Sequence, residues 1–441
     1  MDRSHDREIV RLAVPAFLAL VAEPMFLLAD AAIVGHLGTT SLAGLGIAGV
    51  VLQTIVGVCV FLAYGTTASV ARRVGAGDLR GAITQGVDGL WLAVVIGVLV
   101  TVPCLLAARP LARAVGADGA VVEQATTYLR IAVLGVTPLL VMLAATGVLR
   151  GLQDTRTPLV VAVGGNLLNI VLNLLLVYGF GPFDGWGIAG SATGSVIAQA
   201  LSAATLAGVV VVGARRHRAA LRPDLAGIRQ AARAGVALVV RTLTLRAALL
   251  VTTYAVTLVS LSDQDAQLAA HQIAFTLWTF LAFVLDAIAI AAQAITGRFL
   301  GAGDVVGTRS VTARMVWWGA MSGIVTGVLL AAGSPFLGAL FTGDSDVRGL
   351  LVPVLLVIAL AQPVCGVVFV LDGVLIGAGD GRYLAYGGLV TLLVYAPVVL
   401  LVHPSLVAVW VVFSVVFMGA RFVVLTHRAR GNAWLVVGAA A

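Results

Sequence analysis

Two carboxylates lie within the first long apolar run of the chain, at roughly residues 9 to 34. Glu23 and Asp30 are seven residues apart, about two helical turns, so a helix places both on one face. Ionisable groups in such a run are costly and by default mark a functional site. A carboxylate in a poorly hydrated cavity can exchange a proton near neutral pH. We predict that Asp30 and Glu23 are functional groups that take up and release protons; the alternative is that Asp30 only reaches interfacial water.

Two prolines, Pro15 and Pro24, share this run with the carboxylates. Each removes a backbone hydrogen bond and permits a bend. We predict that the first helix bends near Pro15.

A polar stripe follows in the fifth apolar run, where three asparagines have spacings of three and four residues. Two side chains four residues apart in the sixth run could face this stripe. Amides in a membrane-spanning helix sometimes only join helices. With three of them on one face, we predict a substrate cavity lined by Asn166, Asn169, Asn173, Ser195 and Gln199.

The second half of the chain carries a different polar set: Arg241, Arg246, His271, Asp286, Gln293 and Asp372. Arg241 could extend to the aqueous interface, and an isolated histidine is more often a packing residue than a ligand. An unpaired arginine deep in a membrane is costly, so we expect Arg246 to pair, directly or through water, with Asp286 or Asp372.

No cofactor or metal site is expected. Cys59, Cys104 and Cys365 all fall within apolar runs and suggest neither a disulfide framework nor thiolate metal ligation. The two Gly-Ala-Gly-Asp turns lack the lysine and hydroxyl residue of a phosphate-binding loop, and helix capping explains them.

The elements that must position these residues follow from composition. Hydrophobic residues make up 60% of the 441 positions, charged residues only 11%, and the mean hydropathy is +1.07. These values are typical of an integral membrane protein. Twelve apolar runs are long enough to span a bilayer as helices: 9–34, 42–70, 84–108, 122–148, 158–180, 187–213, 235–261, 268–296, 311–333, 350–376, 383–402 and 404–426.

The chain contains an internal repeat. Gly147 to Arg156 (GVLRGLQDTR) returns as Gly373 to Arg382 (GVLIGAGDGR), and the same offset of 226 residues relates Ala71 to Ala82 with Gly297 to Thr308. Six spans per copy is an even number, so both copies enter the bilayer in one direction. We predict an all-α fold of two parallel six-helix bundles related by a pseudo-twofold axis along the membrane normal.

The arginines predict the topology. All 27 Lys and Arg residues are arginine, and most lie in the terminal segments or the even-numbered connections. By the positive-inside rule both termini face the cytoplasm. The net charge of +7 is explained by topology and anionic lipid, so no nucleic-acid partner is expected.

We predict an N-lobe at 1–213, a basic linker at 214–233 and a C-lobe at 234–441. The linker is the longest hydrophilic stretch, so it is expected to be amphipathic and to lie along the inner surface. It would act as a mobile tether while the lobes rock against each other. A monomer is expected.

Several motifs together resemble the multidrug and toxic compound extrusion (MATE) family of secondary transporters, and its DinF (DNA-damage-inducible) branch in particular. They lie in the first, fifth, seventh, eighth and tenth spans: Pro15, Glu23 and Asp30 leading into DAAIVGHLG, GNLLNIVLN from Gly165 to Asn173, Arg241-Thr242-Leu243, Leu285-Asp286 with Gln293, and Leu371-Asp372-Gly373-Val374.

This resemblance implies an antiporter that exports amphipathic, often cationic, organic compounds in exchange for protons or sodium by alternating access. Asp30 matches the family's first-span carboxylate, which is protonated as that helix bends near Pro15, and Asn169 matches a cavity residue. Asn173 departs from the pattern, because many relatives have Asp there. Arg241 and Arg246 stand on the seventh span, where some sodium-coupled relatives carry Glu, so the resemblance favours protons.

Three alternatives stay open. A lipid-linked precursor flippase would use a basic cavity, which Arg241 and Arg246 could supply. A membrane-embedded enzyme would need clustered acidic metal-binding motifs, which the sequence lacks. A non-transporting scaffold or receptor would not explain charges on several spans. Composition suggests a GC-rich bacterial genome, so we expect location in a bacterial inner (plasma) membrane and a small amphipathic organic substrate.

Overall fold

The computed structural model describes residues 4–259 and 264–439, which are almost entirely helical. The helices are α1 (Ser4–Gly35), α2 (Thr39–Cys59), α3 (Phe61–Gly75), α4 (Leu79–Leu106), α5 (Ala108–Ala114), α6 (Gly119–Ala132), α7 (Val136–Gly151), α8 (Arg156–Tyr178), α9 (Ile188–Arg216), α10 (Leu225–Thr257), α11 (Gln264–Gly301), α12 (Val305–Phe341), α13 (Ser345–Gly377), α14 (Gly381–Leu401), α15 (Leu406–Val412) and α16 (Met418–Arg430).

Twelve membrane-spanning segments are present among the described residues, as the sequence predicts. Three of them are composite. The second joins α2 to α3, the fourth joins α6 to α7 through a 3₁₀ turn at Val133–Gly135, and the twelfth joins α15 to α16 through a π-helical turn at Phe413–Phe417. Helices dominate because a segment in lipid must satisfy its own backbone hydrogen bonds. Residues 260 and 261 of the predicted seventh span, and Arg3 of the N-terminal tail, lie outside the described residues.

One small departure from an all-α fold connects α8 to α9. Strand β1 (Gly179–Phe180) pairs antiparallel with β2 (Phe183–Asp184). Gly179 and Gly181 have φ angles of 85° and 61°, a region that glycine adopts without a steric penalty. This pair turns the chain tightly between two helices that pack together.

Two turns related by the 226-residue offset have the same local geometry. Asp78 accepts a hydrogen bond from the Gly81 amide at 2.8 Å, and Asp304 accepts one from the Gly307 amide at 2.7 Å. The glycine before each aspartate has φ of 77° and 76°. These are the helix caps expected from the repeated sequence. The pseudo-twofold axis itself stays a prediction.

Residue contacts divide the chain into two compact units. One unit is Leu18–Gly235; the other contains the described residues up to Phe17 and those from Val236 onward. The start of α1 is held in this second unit by ion pairs, from Asp6 to Arg314 at 2.6 Å and from Glu8 to Arg298 at 2.7 Å. The division therefore differs from the predicted lobes 1–213 and 234–441 in two places: the described residues up to Phe17 belong to the second unit, and residues 214–235 belong to the first.

The predicted linker at 214–233 is not a separate amphipathic element. Helix α9 continues to Arg216 and α10 begins at Leu225, so only a short connection remains. This connection is fastened to α4, because the Trp91 indole donates to the Leu221 carbonyl at 3.1 Å and Asp88 accepts from the Asp224 amide at 3.2 Å. These bonds attach the connection to α4 of its own unit, and its role as a mobile tether during transport stays a prediction.

Candidate functional site

Asp30 is the centre of a buried hydrogen-bonded cluster in the unit Leu18–Gly235. Its side chain is only 3% exposed. Asn173 Nδ2 and Ser191 Oγ both donate to Asp30 Oδ1 at 2.6 Å, and the Tyr128 hydroxyl donates to Oδ2 at 3.4 Å. The four residues come from α1, α8, α9 and α6. We call them the Asp30 cluster.

Small residues on α9 let this helix approach α8 closely enough to form the cluster. Gly194 lies against the Asn173 side chain, and Gly190 lies against the Leu176 backbone. A Cβ atom at either glycine would collide with these neighbours. The close approach brings Ser191 within hydrogen-bonding distance of the same carboxylate oxygen that Asn173 contacts.

A second polar contact extends the cluster along the two helices. Asn169 Nδ2 donates to Ser195 Oγ at 3.0 Å. The amide oxygens of Asn169 and Asn173 are both buried and accept no hydrogen bond from the described residues. Buried acceptors without partners are costly and call for an explanation. Here they give the cluster hydrogen-bonding capacity that the present arrangement does not use.

The other residues predicted for this region are placed elsewhere. Asn166 donates to the Ala22 carbonyl of α1 at 3.0 Å, so it joins two helices. Gln199 Oε1 lies against Gly135 rather than against the asparagine stripe. Glu23 is exposed and has no hydrogen bond or ion pair among the described residues. Pro15 lies within a continuous α1, two residues before the boundary between the units.

Sequence reasoning missed two members of the Asp30 cluster. Ser191 lies four residues before Ser195 on α9, so the same helical spacing would have placed it on the cavity-facing side. Tyr128 carried no such signal. It lies on an amphipathic stretch of α6, and only the packing of that helix shows that its hydroxyl reaches Asp30.

The second unit contains a different buried arrangement around Asp372 on α13. Arg241 of α10 donates to Asp372 Oδ2, and Arg421 of α16 lies 3.2 Å from Asp372 Oδ1. The two arginine side chains are 14% and 11% exposed, and that of Asp372 is 6% exposed. We call this the Asp372 cluster. It has one negative and two positive charges, so it is net positive.

Arg246 is half-buried on α10, and its predicted pairing with Asp286 or Asp372 stays a prediction. Asp372 contacts Arg241, which precedes Arg246 by five residues on α10, and Arg421, which lies inside the twelfth span. Arg421 is not among the residues predicted for this site.

His271 and Gln293, also predicted for the C-lobe polar site, contact other residues. His271 hydrogen-bonds Thr253 at 3.1 Å and packs against Trp410, with ring centroids 5.6 Å apart. Gln293 is buried where α11 crosses α13 at Gly377. Asp286 is half-buried on α11.

The two clusters can do different chemistry. Asp30 is surrounded by neutral donors, so gain of a proton changes the charge of the whole cluster. Asp372 lies between two guanidinium groups, so it acts as the shared partner of two ion pairs. Among the described residues, no three His, Cys, Asp or Glu side chains are grouped closely enough to hold a metal ion.

Comparison with known proteins defines the class. The MatE family model matches residues 15–175 and 238–401, which is more than half of the chain. The fold is similar to a solved variant of the Vibrio cholerae MATE transporter VcmN, with a TM-score of 0.87, 19% identity and 98% of each chain covered. The chain therefore belongs to the MatE family of multidrug and toxic compound efflux transporters.

Two relatives are similar over most of their length. The chain is 31% identical to Protein DETOXIFICATION 44, chloroplastic, of Arabidopsis thaliana, over 98% of this chain and 84% of that protein. It is also 31% identical to DNA damage-inducible protein F of Escherichia coli, over 85% of this chain and 81% of that protein. The resemblance to the MATE family and its DinF branch is confirmed. The protein is a multi-pass membrane transporter, not an enzyme; its bacterial origin stays a prediction.

Proposed function

We propose that this transporter exports amphipathic, mainly cationic organic compounds in exchange for protons, and that Asp30 is the coupling carboxylate. The observation that carries the proposal is the burial of Asp30 among three neutral donors, Asn173, Ser191 and Tyr128, with no arginine at its oxygens. Such a group changes charge when it gains a proton, and a buried charge difference is large enough to alter helix packing.

Protonation of Asp30 would require its hydrogen bonds to rearrange. In the present arrangement every partner donates to Asp30. A protonated carboxyl must itself donate, so one partner has to accept. The Ser191 and Tyr128 hydroxyls can rotate to do so, and Asn173 has an amide oxygen without a partner. The protonated and charged forms thus favour different contacts between α1, α6, α8 and α9. Two states of this kind are what coupling requires.

The Asp372 cluster supports protons over sodium as the coupling ion. A sodium ion bound at Asp372 would have to displace Arg241 or Arg421 from its oxygens. At Asp30, a proton can bind directly to the carboxylate, and the three neutral donors around it can rearrange. We propose that Asp372 organises the second unit and takes no part in ion exchange.

Alternating access would be accommodated within two helices. The chain passes between the units only inside α1, after Phe17, and inside α10, after Gly235. Relative movement of the units would therefore bend these helices, and Pro15 lies next to the first crossing. We propose that both termini face the cytoplasm, in agreement with the arginine distribution.

A second candidate rests on the net positive Asp372 cluster. Two buried arginines around one carboxylate favour an anionic amphiphile, such as a lipid-linked precursor, over an organic cation. Under this proposal the protein would be a flippase. The two proposals differ in the sign of the charge on the transported compound.

Flux in proteoliposomes distinguishes these proposals. Wild-type protein is given an imposed pH gradient or an imposed sodium gradient, with matched cationic and anionic fluorescent amphiphiles. We expect cation export driven by the pH gradient, loss of this export in Asp30→Asn, and little effect of sodium. Export driven by sodium alone, or uphill export by Asp30→Asn at the wild-type rate, would overturn the coupling proposal. Transport of the anion alone would favour the flippase.

A further inference from the structure

A cavity of about 380 Å³ opens in the second unit among α12, α13, α16 and the segment that follows α16. None of its lining residues belongs to the Asp30 or the Asp372 cluster. Trp434, which is 1% exposed, forms one wall. The indole nitrogen of Trp434 donates to the Ala429 and Gly431 carbonyls, both at 3.1 Å, so this wall is fixed in place.

The cavity changes from basic to apolar along α12. Arg309, Thr312 and Val316 follow each other at spacings of three and four residues, so they lie on one face of the helix. Arg309 is four residues from the start of α12 at Val305. Val316 is seven residues further in, about 10 Å at the helical rise.

Helix α16 repeats this order from its own end. Arg430 is the last residue of α16, Thr426 lies one turn inward, and Phe422 lies one turn further. Arg430 and Phe422 are separated by about 12 Å. Val367 and Leu371 of α13 continue the apolar part. The walls formed by α12 and α16 therefore each run from a guanidinium through a hydroxyl to an apolar side chain.

The exposed arginines of the cavity can donate to a ligand, and two buried threonine oxygens beside them lack partners among the described residues. Thr312 is 8% exposed, and its Oγ1 has no hydrogen-bond partner among the described residues; the same holds for Oγ1 of Thr426. Arg309 uses Nη2 to contact the Gly431 carbonyl and the Asn432 side chain. A guanidinium has five N–H donors, so Nε and Nη1 remain for a phosphate. Among the described residues that line the cavity, none is a carboxylate.

We infer that this cavity binds one anionic phospholipid, with the phosphate at Arg309 and Arg430 and an acyl chain against Val316 and Phe422. The order of charge, hydroxyl and apolar groups matches the order of chemistry along such a lipid, from headgroup through ester to chain. The two arginines at the ends of membrane-spanning helices supply the charge complementarity. A zwitterionic lipid would gain less from them, because its headgroup carries a cation beside the phosphate.

Quenching of Trp434 by brominated lipids tests the proposal. The full chain in detergent is titrated with phosphatidylglycerol or phosphatidylcholine carrying the same brominated chains. The contribution of Trp434 is the difference between wild type and Trp434→Phe. We expect saturable quenching of this component, at concentrations about 25-fold lower for phosphatidylglycerol, since each arginine contributes about fivefold.

Two variants and one control sharpen the test. Arg309→Gln/Arg430→Gln should remove the preference for phosphatidylglycerol; both residues are exposed, so folding is preserved. Ala313→Phe should fill the cavity and abolish quenching with both arginines present. Arg80→Gln/Arg229→Gln removes two exposed arginines from the other unit and should leave quenching unchanged.

Three outcomes would overturn the inference. Equal quenching by the two lipids would show that the arginines do not select an anion. Quenching that survives Ala313→Phe would place the lipid outside the cavity. Saturable quenching by a brominated free fatty acid, with none by phosphatidylglycerol, would assign the cavity to a different ligand.

Discussion

Two buried carboxylates of this transporter, Asp30 and Asp372, have opposite surroundings. Asp30 is held by an amide and two hydroxyl groups, whereas Asp372 is held by two arginines. Both are almost fully buried. The difference teaches that burial alone does not make a carboxylate a coupling group. A carboxylate among neutral donors can change its charge state during a transport cycle, and one between guanidinium groups contributes to folding instead.

The largest expected effect is at Asp372. Asp372→Asn removes the buried carboxylate that both Arg241 and Arg421 contact, so we expect a loss of about 3–5 kcal/mol of stability. Asp30→Asn keeps the side-chain shape and removes no ion pair, so we expect a change within about 1 kcal/mol. Thermal unfolding of both variants in one detergent measures the difference. Equal destabilisation would remove the distinction between the two clusters.

A double-mutant cycle sharpens this contrast. Adding Arg421→Met to Asp372→Asn removes one of the two positive charges of the cluster, so the double variant should be more stable than the sum of the single effects predicts. Strict additivity of the unfolding free energies would mean that Arg421 and Asp372 do not interact.

Effects of intermediate size are expected within the Asp30 cluster. A hydrogen bond to a charged group contributes about 1.5–3 kcal/mol, so Ser191→Ala should reduce pH-driven export about tenfold or more. Tyr128→Phe should have a smaller effect, because its hydroxyl lies 3.4 Å from the carboxylate against 2.6 Å for Ser191. Initial export rates, normalised to membrane-inserted protein, show which of the two variants has the larger effect. A larger effect of Tyr128→Phe would contradict the geometry.

Asp88 provides a third buried carboxylate for comparison, at 3% exposure. It accepts from the Asp224 amide and so fixes the connection between α9 and α10. We expect Asp88→Asn to cost about 1 kcal/mol and to speed tryptic cleavage after Arg218 and Arg222, with proton coupling intact. Loss of coupling together with an unchanged cleavage rate would move Asp88 into the transport machinery.

The smallest effect is expected for an exposed ion pair. Arg109 and Glu123 are 2.7 Å apart, but their side chains are 49% and 65% exposed. Arg109→Gln should therefore change stability by less than about 1 kcal/mol and leave transport unchanged. A thermal shift as large as that of Asp372→Asn would show that burial does not determine the strength of ion pairs in this protein.

The sequence predicts the spans well because an apolar run of twenty residues has few alternatives to a membrane helix. It predicts their ends less well. Helix α10 begins at Leu225 rather than near 235, because Arg229 and Arg233 continue the helix beyond the apolar run. Likewise, the Arg-rich connection between α9 and α10 is hydrogen-bonded to Trp91 and Asp88 of α4. These two residues are distant in sequence, so the contact could not be predicted.

The residues of the candidate site likewise include some that the sequence predicts and some that only the structure shows. Asp30, Asn169 and Asn173 could be predicted because polar groups inside a span stand out from their surroundings. Tyr128 and Arg421 could not, since their roles depend on how helices distant in sequence rotate and pack. Arg241 and Arg421 contact the two oxygens of Asp372, an arrangement that residue spacing along the chain does not reveal.

Proton release on substrate binding tests the central role of Asp30 most directly. A saturating organic cation is added to the protein in weakly buffered detergent solution, and the pH change is recorded for wild type, Asp30→Asn and Asp88→Asn. If binding of the cation and protonation of Asp30 are mutually exclusive, wild type and Asp88→Asn release up to about one proton per bound cation, and Asp30→Asn binds it without release. Undiminished proton release from Asp30→Asn would contradict the assignment of Asp30 as the coupling group.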